Sequence, residues 1–233
     1  MKRLAAILLA LALSSAAWAA SNHASLGYSQ DGTVIGPGPD NCWGEEEHNH
    51  DGTFENGYAW QYAGTVPPYG GAFGEGMDFG YGFVGCVKLW VSTLPGYFYG
   101  QTCDVYVWEG GVTRAPGTVL GMVPGNVLSN VPVWPTVGEN DVVVPGYVVQ
   151  GEVTVGYWGN WPGASCAYFI GADLDGYGGY PWTYIAPGIG YPTGWNDPSV
   201  IWGLTQSLGL GLVYVWNSPV ESQSWGSIKS MFN

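Results

Sequence analysis

From Asn56 onward, short apolar runs recur roughly every ten residues, and Gly, Pro, Asn or Asp closes each one. That rhythm of β-branched and aromatic segments between turn residues predicts an all-β sandwich or barrel. The runs place strands at Gly57–Ala63, Ala72–Phe79, Phe83–Ser92, Cys103–Trp108, Val119–Val123, Asp141–Pro145, Val153–Tyr157, Ala167–Ala172, Ser199–Gly203 and Gly209–Val215. Side chains alternate between the two faces of a strand. Phe83, Val87, Leu89 and Val91 therefore read as a core face, with Lys88 on the solvent side. Cys103–Trp108 alternates likewise, Val105 and Val107 against Asp104 and Tyr106. The sole helical candidate is Trp225–Phe232, capped by Ser224.

Composition narrows this further. The 39 glycines and 16 prolines exclude a mostly helical fold, because interior Gly costs a helix about 1 kcal/mol and Pro about 3. A basic start (Lys2, Arg3), an apolar run Leu4–Leu13 and the small-x-small triplet Ala17-Trp18-Ala19 form a secretory signal peptide. Cleavage after Ala19 would leave 214 of the 233 residues, with no later run long enough to span a bilayer. Without Lys2 and Arg3, three basic residues face 18 acidic ones, a formal charge of −15. Such a surface repels nucleic acid and anionic lipid. Residues 20–55 read as an irregular acidic lead-in, 56–217 as the β domain and 218–233 as a tail.

Exported chains use cysteines in pairs, and the four here (Cys42, Cys86, Cys103, Cys166) allow three pairings. If Phe83–Val91 and Cys103–Glu109 form a hairpin turning at Leu94-Pro95, Cys86 faces Cys103 and Cys42 is left for Cys166. Nothing in the spacing suits zinc.

The run Asp104-Val105-Tyr106-Val107-Trp108-Glu109-Gly110-Gly111, followed by Pro116-Gly117-Thr118-Val119-Leu120, resembles uncharacterised secreted bacterial β-sandwich domains. Glu55-Asn56-Gly57-Tyr58-Ala59-Trp60 and Val155-Gly156-Tyr157-Trp158 look like companion elements, so the resemblance covers about residues 55–175. It implies an antiparallel jelly-roll-like β-sandwich with long Gly/Pro-rich loops, in a secreted or cell-surface protein. No catalytic residue carries over, since the matching positions are turn and core residues.

Three chemistries are open to the polar residues. Nucleophilic catalysis needs a base within reach of Ser or Cys, yet His23, His48 and His50 all sit in the lead-in. His48, His50 and Asp51 could ligate a metal, but the plainer reading is a solvated acidic loop. Paired carboxylates serve glycosidases; here Glu75 with Asp78 would face opposite ways on a strand, and Gly176 ends any strand through Asp173 and Asp175. Asp173-Leu174-Asp175-Gly176 suits calcium better, or simply an Asx-turn.

Aromatics are the remaining signal, at 15 % of the chain. Trp60, Trp90, Trp202 and Trp216 read as core, while Trp158, Trp161, Trp182 and Trp195 stand beside turn residues. Rings that stack on a sugar, with polar neighbours to orient it, are the recipe for carbohydrate binding. The expectation is therefore a secreted, non-catalytic binding or adhesion module for extracellular carbohydrate. Its binding face would be Trp158, Asn160, Trp161, Tyr177 and Trp182, with Asp173 and Asp175 as calcium ligands. A structural or assembly protein of the envelope or matrix is the alternative, and a β-sandwich glycoside hydrolase stands third. The face is one site only if the loops at both ends of Ala167–Ala172 curl over a common side.

Overall fold

The computed structural model describes residues 23–29, 32–35, 42–60, 71–96, 102–159 and 168–216. The fold is all-β: one antiparallel sheet, strongly curled into a half-barrel. Its frame is two long strands, β5 (Ala72–Ser92) and β8 (Val137–Gly159), which pair antiparallel along nearly their whole length. β8 also pairs with β6 (Thr102–Glu109), which carries the edge strand β7 (Val119–Val127). On its other side β5 pairs with β9 (Phe169–Asp173), β10 (Pro181–Ile185) and β13 (Leu210–Trp216) in different thirds of its length.

Shorter strands complete the sheet. β4 (Asn56–Trp60) joins β9 to β1 (His23–Ser25), β11 (Gly194–Asn196) adds to β10, and β12 (Ser207–Leu208) adds to β9. β2 (Val34–Ile35) runs parallel to β8, and β3 (Glu45–His48) covers the free side of β13. The lead-in thus contributes strands, including one at Glu45–His48 where the sequence pattern showed none.

The curl follows from register shifts. β5 slips against β8 between Asp78 and Tyr81 and again between Val84 and Cys86, and each such bulge bends and further twists a strand. Bending is also why the predicted pairs Ala72–Phe79 with Phe83–Ser92, and Asp141–Pro145 with Val153–Tyr157, merge into β5 and β8. Pro145 and Gly146 do not end the strand; they are exposed and sit where β8 bends.

The concave face holds the core. Val87, Leu89 and Val91 of β5, Val105 and Val107 of β6, and Val142, Val153, Val155 and Tyr157 of β8 are buried there. Fully burying one such aliphatic side chain stabilises by about 1.5–3 kcal/mol. Trp60 and Trp90 are buried as expected. Trp60 donates its indole N–H to Thr183 Oγ1 at 2.7 Å.

Several expectations fail for identifiable reasons. Ser199–Gly203 is a helical turn, α1 (Ser199–Trp202), because Pro198 starts it in helical geometry and Asp197 Oδ1 accepts the Ser199 N–H. No strand is predicted between Ala172 and Ser199, yet β10 and β11 pair there, with Tyr184 opposite Trp195. Lys88 is buried, not solvent-facing. It lies 2.9 Å from Glu46 and 3.5 Å from Asp141, and also bonds Glu139.

Cys86 is bonded to Cys42, not to Cys103. β8 lies between β5 and β6, so the supposed hairpin that would juxtapose Cys86 and Cys103 does not exist. Cys103 is a buried free thiol, pushed up to about 12 by burial. A disulfide indicates an oxidising, non-cytoplasmic compartment. No helix among the described residues is long and apolar enough to cross a membrane. The signal peptide, Cys166 and the Trp225–Phe232 helix lie outside the described residues.

Candidate functional site

Two clusters of functional side chains emerge on different sides of the sheet. The first is aromatic. Register puts Trp195, Tyr184, Ala72, Trp158 and Asp104 in one row across β11, β10, β5, β8 and β6. The next row runs Trp182, Gly74, Gly156 and Tyr106, and the third contains Gly76, Thr154 and Trp108. Residues in register share a face, so all six large rings stand on the convex side, while their neighbours Tyr157 and Thr183 are buried on the concave side.

Five of these rings close a circuit. Centroid separations are 4.9 Å for Tyr106–Trp108, 5.1 Å for Trp108–Trp195, 5.5 Å for Tyr184–Trp195, 4.9 Å for Trp158–Tyr184 and 6.3 Å for Tyr106–Trp158. Trp108 is buried at the centre, and the others are half-buried. The small residues Ala72, Gly74, Gly76 and Gly156 are buried beneath this layer and leave room for the rings to lie close over the strands. Trp182 is oriented by its indole N–H, which donates to the Gly111 carbonyl at 2.8 Å.

The second cluster is acidic and gathers where β9 ends. Glu75 points to the side opposite Gly74 and Gly76 and is fully buried. Its Oε1 accepts N–H bonds from Asn49 and Tyr180, each 2.7 Å, and its Oε2 accepts the Leu208 N–H at 2.9 Å. Burial pushes its carboxyl up to about 8. Asp173, also buried, accepts from the Asp175 and Gly176 N–H groups on Oδ1 and the Asp51 N–H on Oδ2. Burial raises its carboxyl as well.

Bonds from residues two and three ahead make Asp173 the head of an Asx-turn. Gly176 is needed there, since a Cβ would run into the Asp173 carboxylate. Glu55 binds the Leu174 N–H at 2.8 Å, and burial raises its carboxyl too. Buried carboxylates thus staple loop 49–55, loop 173–180 and β12 together.

Asp51, Asp173 and Asp175 each present an oxygen, all within 4.8 Å of one another. Such a triad supplies the hard oxygen donors calcium prefers, although a full shell takes six to eight oxygens. Asp173 has already committed both oxygens to N–H donors, which leaves exposed Asp51 and Asp175 as the freer ligands. The histidines are not in the triad. His48 and His50 stack at 4.2 Å, and His50 packs against Trp90 and Phe54, its ring held down to about 3 by burial.

Of the sequence-predicted residues, Trp158 and Trp182 share the convex face, whereas Asp173 and Asp175 belong to the acidic cluster. Tyr177, 91 % exposed, extends from the loop of that second cluster. Asn160 and Trp161 lie outside the described residues. Asp78 is exposed and Glu75 buried, so that carboxylate pair is split across the sheet. Tyr106, Trp108 and Tyr184 were missed as partners of Trp158, although their alternation with Val105, Val107 and Thr183 carried the signal. Glu55 and Asn49 had no local signal, because their partners are 119 and 26 residues away.

No known protein family, curated protein or solved structure matches this chain.

Proposed function

We propose that the protein is a secreted, non-catalytic module that binds extracellular carbohydrate, with the convex aromatic layer as its platform. The observation that carries this reading is the circuit of Tyr106, Trp108, Trp158, Tyr184 and Trp195, of which all but Trp108 are only half-buried. Sugar faces present C–H groups that pack on such rings. The chain's strong negative charge favours neutral over anionic glycans. The jelly-roll arrangement and the calcium role of Asp51, Asp173 and Asp175 belong to the same proposal. Calcium there would rigidify loops 49–55 and 173–180 without touching the rings.

The test is a glycan array with the secreted protein, its Trp158→Ala variant and its Trp195→Ala variant. Retention on a neutral glycan that both substitutions weaken at least tenfold supports the reading; retention indifferent to both removes the platform. A structural or assembly role is favoured by a different observation, the apolar row Val215, Phe83 and Val148 with Val143 nearby, whose three valines are about half exposed. No glycan bound, together with a concentration-dependent rise in mass, would select that role instead.

A further inference from the structure

We propose that β3 is a strap, locked by the Cys42–Cys86 disulfide, that guards the edge of β13 against strand pairing with a second copy of the chain. β13 is bonded on one side to β5 and on the other, among the described residues, only to the four residues of β3. Its sequence, Leu210-Gly-Leu-Val-Tyr-Val-Trp216, has no charge, no proline and mostly strand-forming residues. A strand of that kind with a bare edge is a template for pairing with another molecule. Because β13 is uncharged, an antiparallel pairing with its own copy meets no repulsion along the ladder.

β3 is built as the opposite kind of edge. It is short, three of its four residues are exposed, and it presents Glu45, Glu46 and Glu47 in succession. Runs of like charge on an outermost strand repel the same strand of a neighbour. The strap is held closely: Gly44 has φ +145°, and a Cβ there would strike the Tyr214 carbonyl oxygen. Tyr214 donates its hydroxyl to Glu45 at 3.3 Å, and Lys88 reaches Glu46 at 2.9 Å. At its far end the strap continues into Asn49 and the buried His50.

Four residues of ladder are a weak hold by themselves, and the disulfide is what fastens the near end. Cys42 lies three residues before β3, and Cys86 stands opposite Val213 of the guarded strand. Forming the bond removes one proton from each thiol and passes two electrons to a disulfide donor of the oxidising compartment, which leaves as a dithiol. The guard is therefore completed by oxidation. The opposite end of the sheet is protected differently: on edge strand β7, Met122 donates its N–H to the Tyr147 hydroxyl, which donates to the Met122 carbonyl.

Amide hydrogen exchange on the oxidised protein, on the protein reduced with dithiothreitol, and on Cys42→Ser tests the strap, with light scattering as the second readout. The expected result is exchange at least tenfold faster at residues 211–214 in both opened forms, with the β5–β8 amides within twofold of the oxidised protein. Mass should then rise with concentration over the ~µM to mM range where exposed edges associate. Equal loss of protection throughout β5 and β8 would make the disulfide a general staple and overturn the strap. Unchanged exchange at 211–214, or exposure there without any gain in mass, overturns it as well.

Discussion

Replacing Lys88 with Met tests the electrostatic centre of the fold. Lys88 is buried on β5 and faces Glu46 of β3 and Glu139 and Asp141 of β8. Burial works against its charge, but the hydrogen bonds it donates to Glu139 and Glu46 more than offset that and hold its pKa above the ordinary lysine value. Methionine preserves the stem and deletes the ammonium. The carboxylates of Glu139 and Asp141, only 11 % and 6 % exposed, would then share a pocket with no counter-charge. Removing one partner of a buried ion pair costs about 3–5 kcal/mol.

The penalty should depend on pH in a definite direction. Lys88 itself gives stability that persists below its unfolded pKa, near 10.4, and fades only at higher pH, so it does not titrate in the working range. In the variant nothing balances the repulsion between the two carboxylates, and that repulsion falls away as acid neutralises them. Urea unfolding should therefore show about 3–5 kcal/mol lost at pH 7 and roughly 1 kcal/mol at pH 4. Adding Glu139→Gln should recover part of the loss. A Lys88→Met protein within about 0.5 kcal/mol of the parent at pH 7, the range of ordinary surface substitutions, would refute this reasoning, as would an equal loss at both pH values.

Three further outcomes rest on the buried acids and the disulfide. Glu75 is raised by burial to about 8, so the folded state keeps a proton that the unfolded chain releases near pH 4.3. Its contribution is intact below that pH and lost progressively up to pH 8, at a limiting ~1.4 kcal/mol per pH unit; a melting temperature that does not fall between pH 5 and 8 contradicts this. If the acidic triad binds calcium, saturation at a hundred times Kd adds about 2.7 kcal/mol, a rise of roughly 5–10 °C for a chain this size. Chelator should reverse that rise, and Asp175→Asn should abolish it while changing the metal-free melt little. Non-reducing peptide mapping should recover Cys42 linked to Cys86; a Cys86–Cys103 peptide would contradict the strand order.

Local pattern revealed the strands where alternation is strict and hid them where the backbone bends. Val105 and Val107 against Asp104 and Tyr106 were legible, and both valines are in the core. Pro145-Gly146 looked like a terminator because sequence pattern cannot distinguish a turn from a bend within one strand. Lys88 looked solvent-facing because alternation assigns a face without saying what covers it; the cover is β3, from forty residues earlier. The disulfide went astray for a related reason. Adjacency in sequence suggests that β5 and β6 pair, and the long β8 separates them. Half of the candidate site was written in the same alternation: Trp158 and Trp182 are one face of their strands, with Tyr184 and Tyr106 in step. The acidic half was visible only as Asp173-Leu174-Asp175-Gly176, since Asp51, Glu55 and Glu75 reach it through the fold.

The separation of these two clusters decides how the proposed function can work. The rings stand in register with Gly74 and Gly76, and Glu75 between them points to the opposite side. A ligand on the rings therefore does not touch the acids; a cation among the acids acts on the rings only through β5 and β10, which both clusters share. Tyr180 makes that link concrete. Its N–H is held by Glu75, and it immediately precedes β10, the strand that carries Trp182 and Tyr184. Loosening the acidic cluster should thus disturb the pose of Trp182 and Tyr184 before it disturbs Tyr106 and Trp108, which β6 positions independently. Calcium would then tune affinity rather than create it, and a ligand retained in chelator with reduced affinity is the pattern this architecture requires.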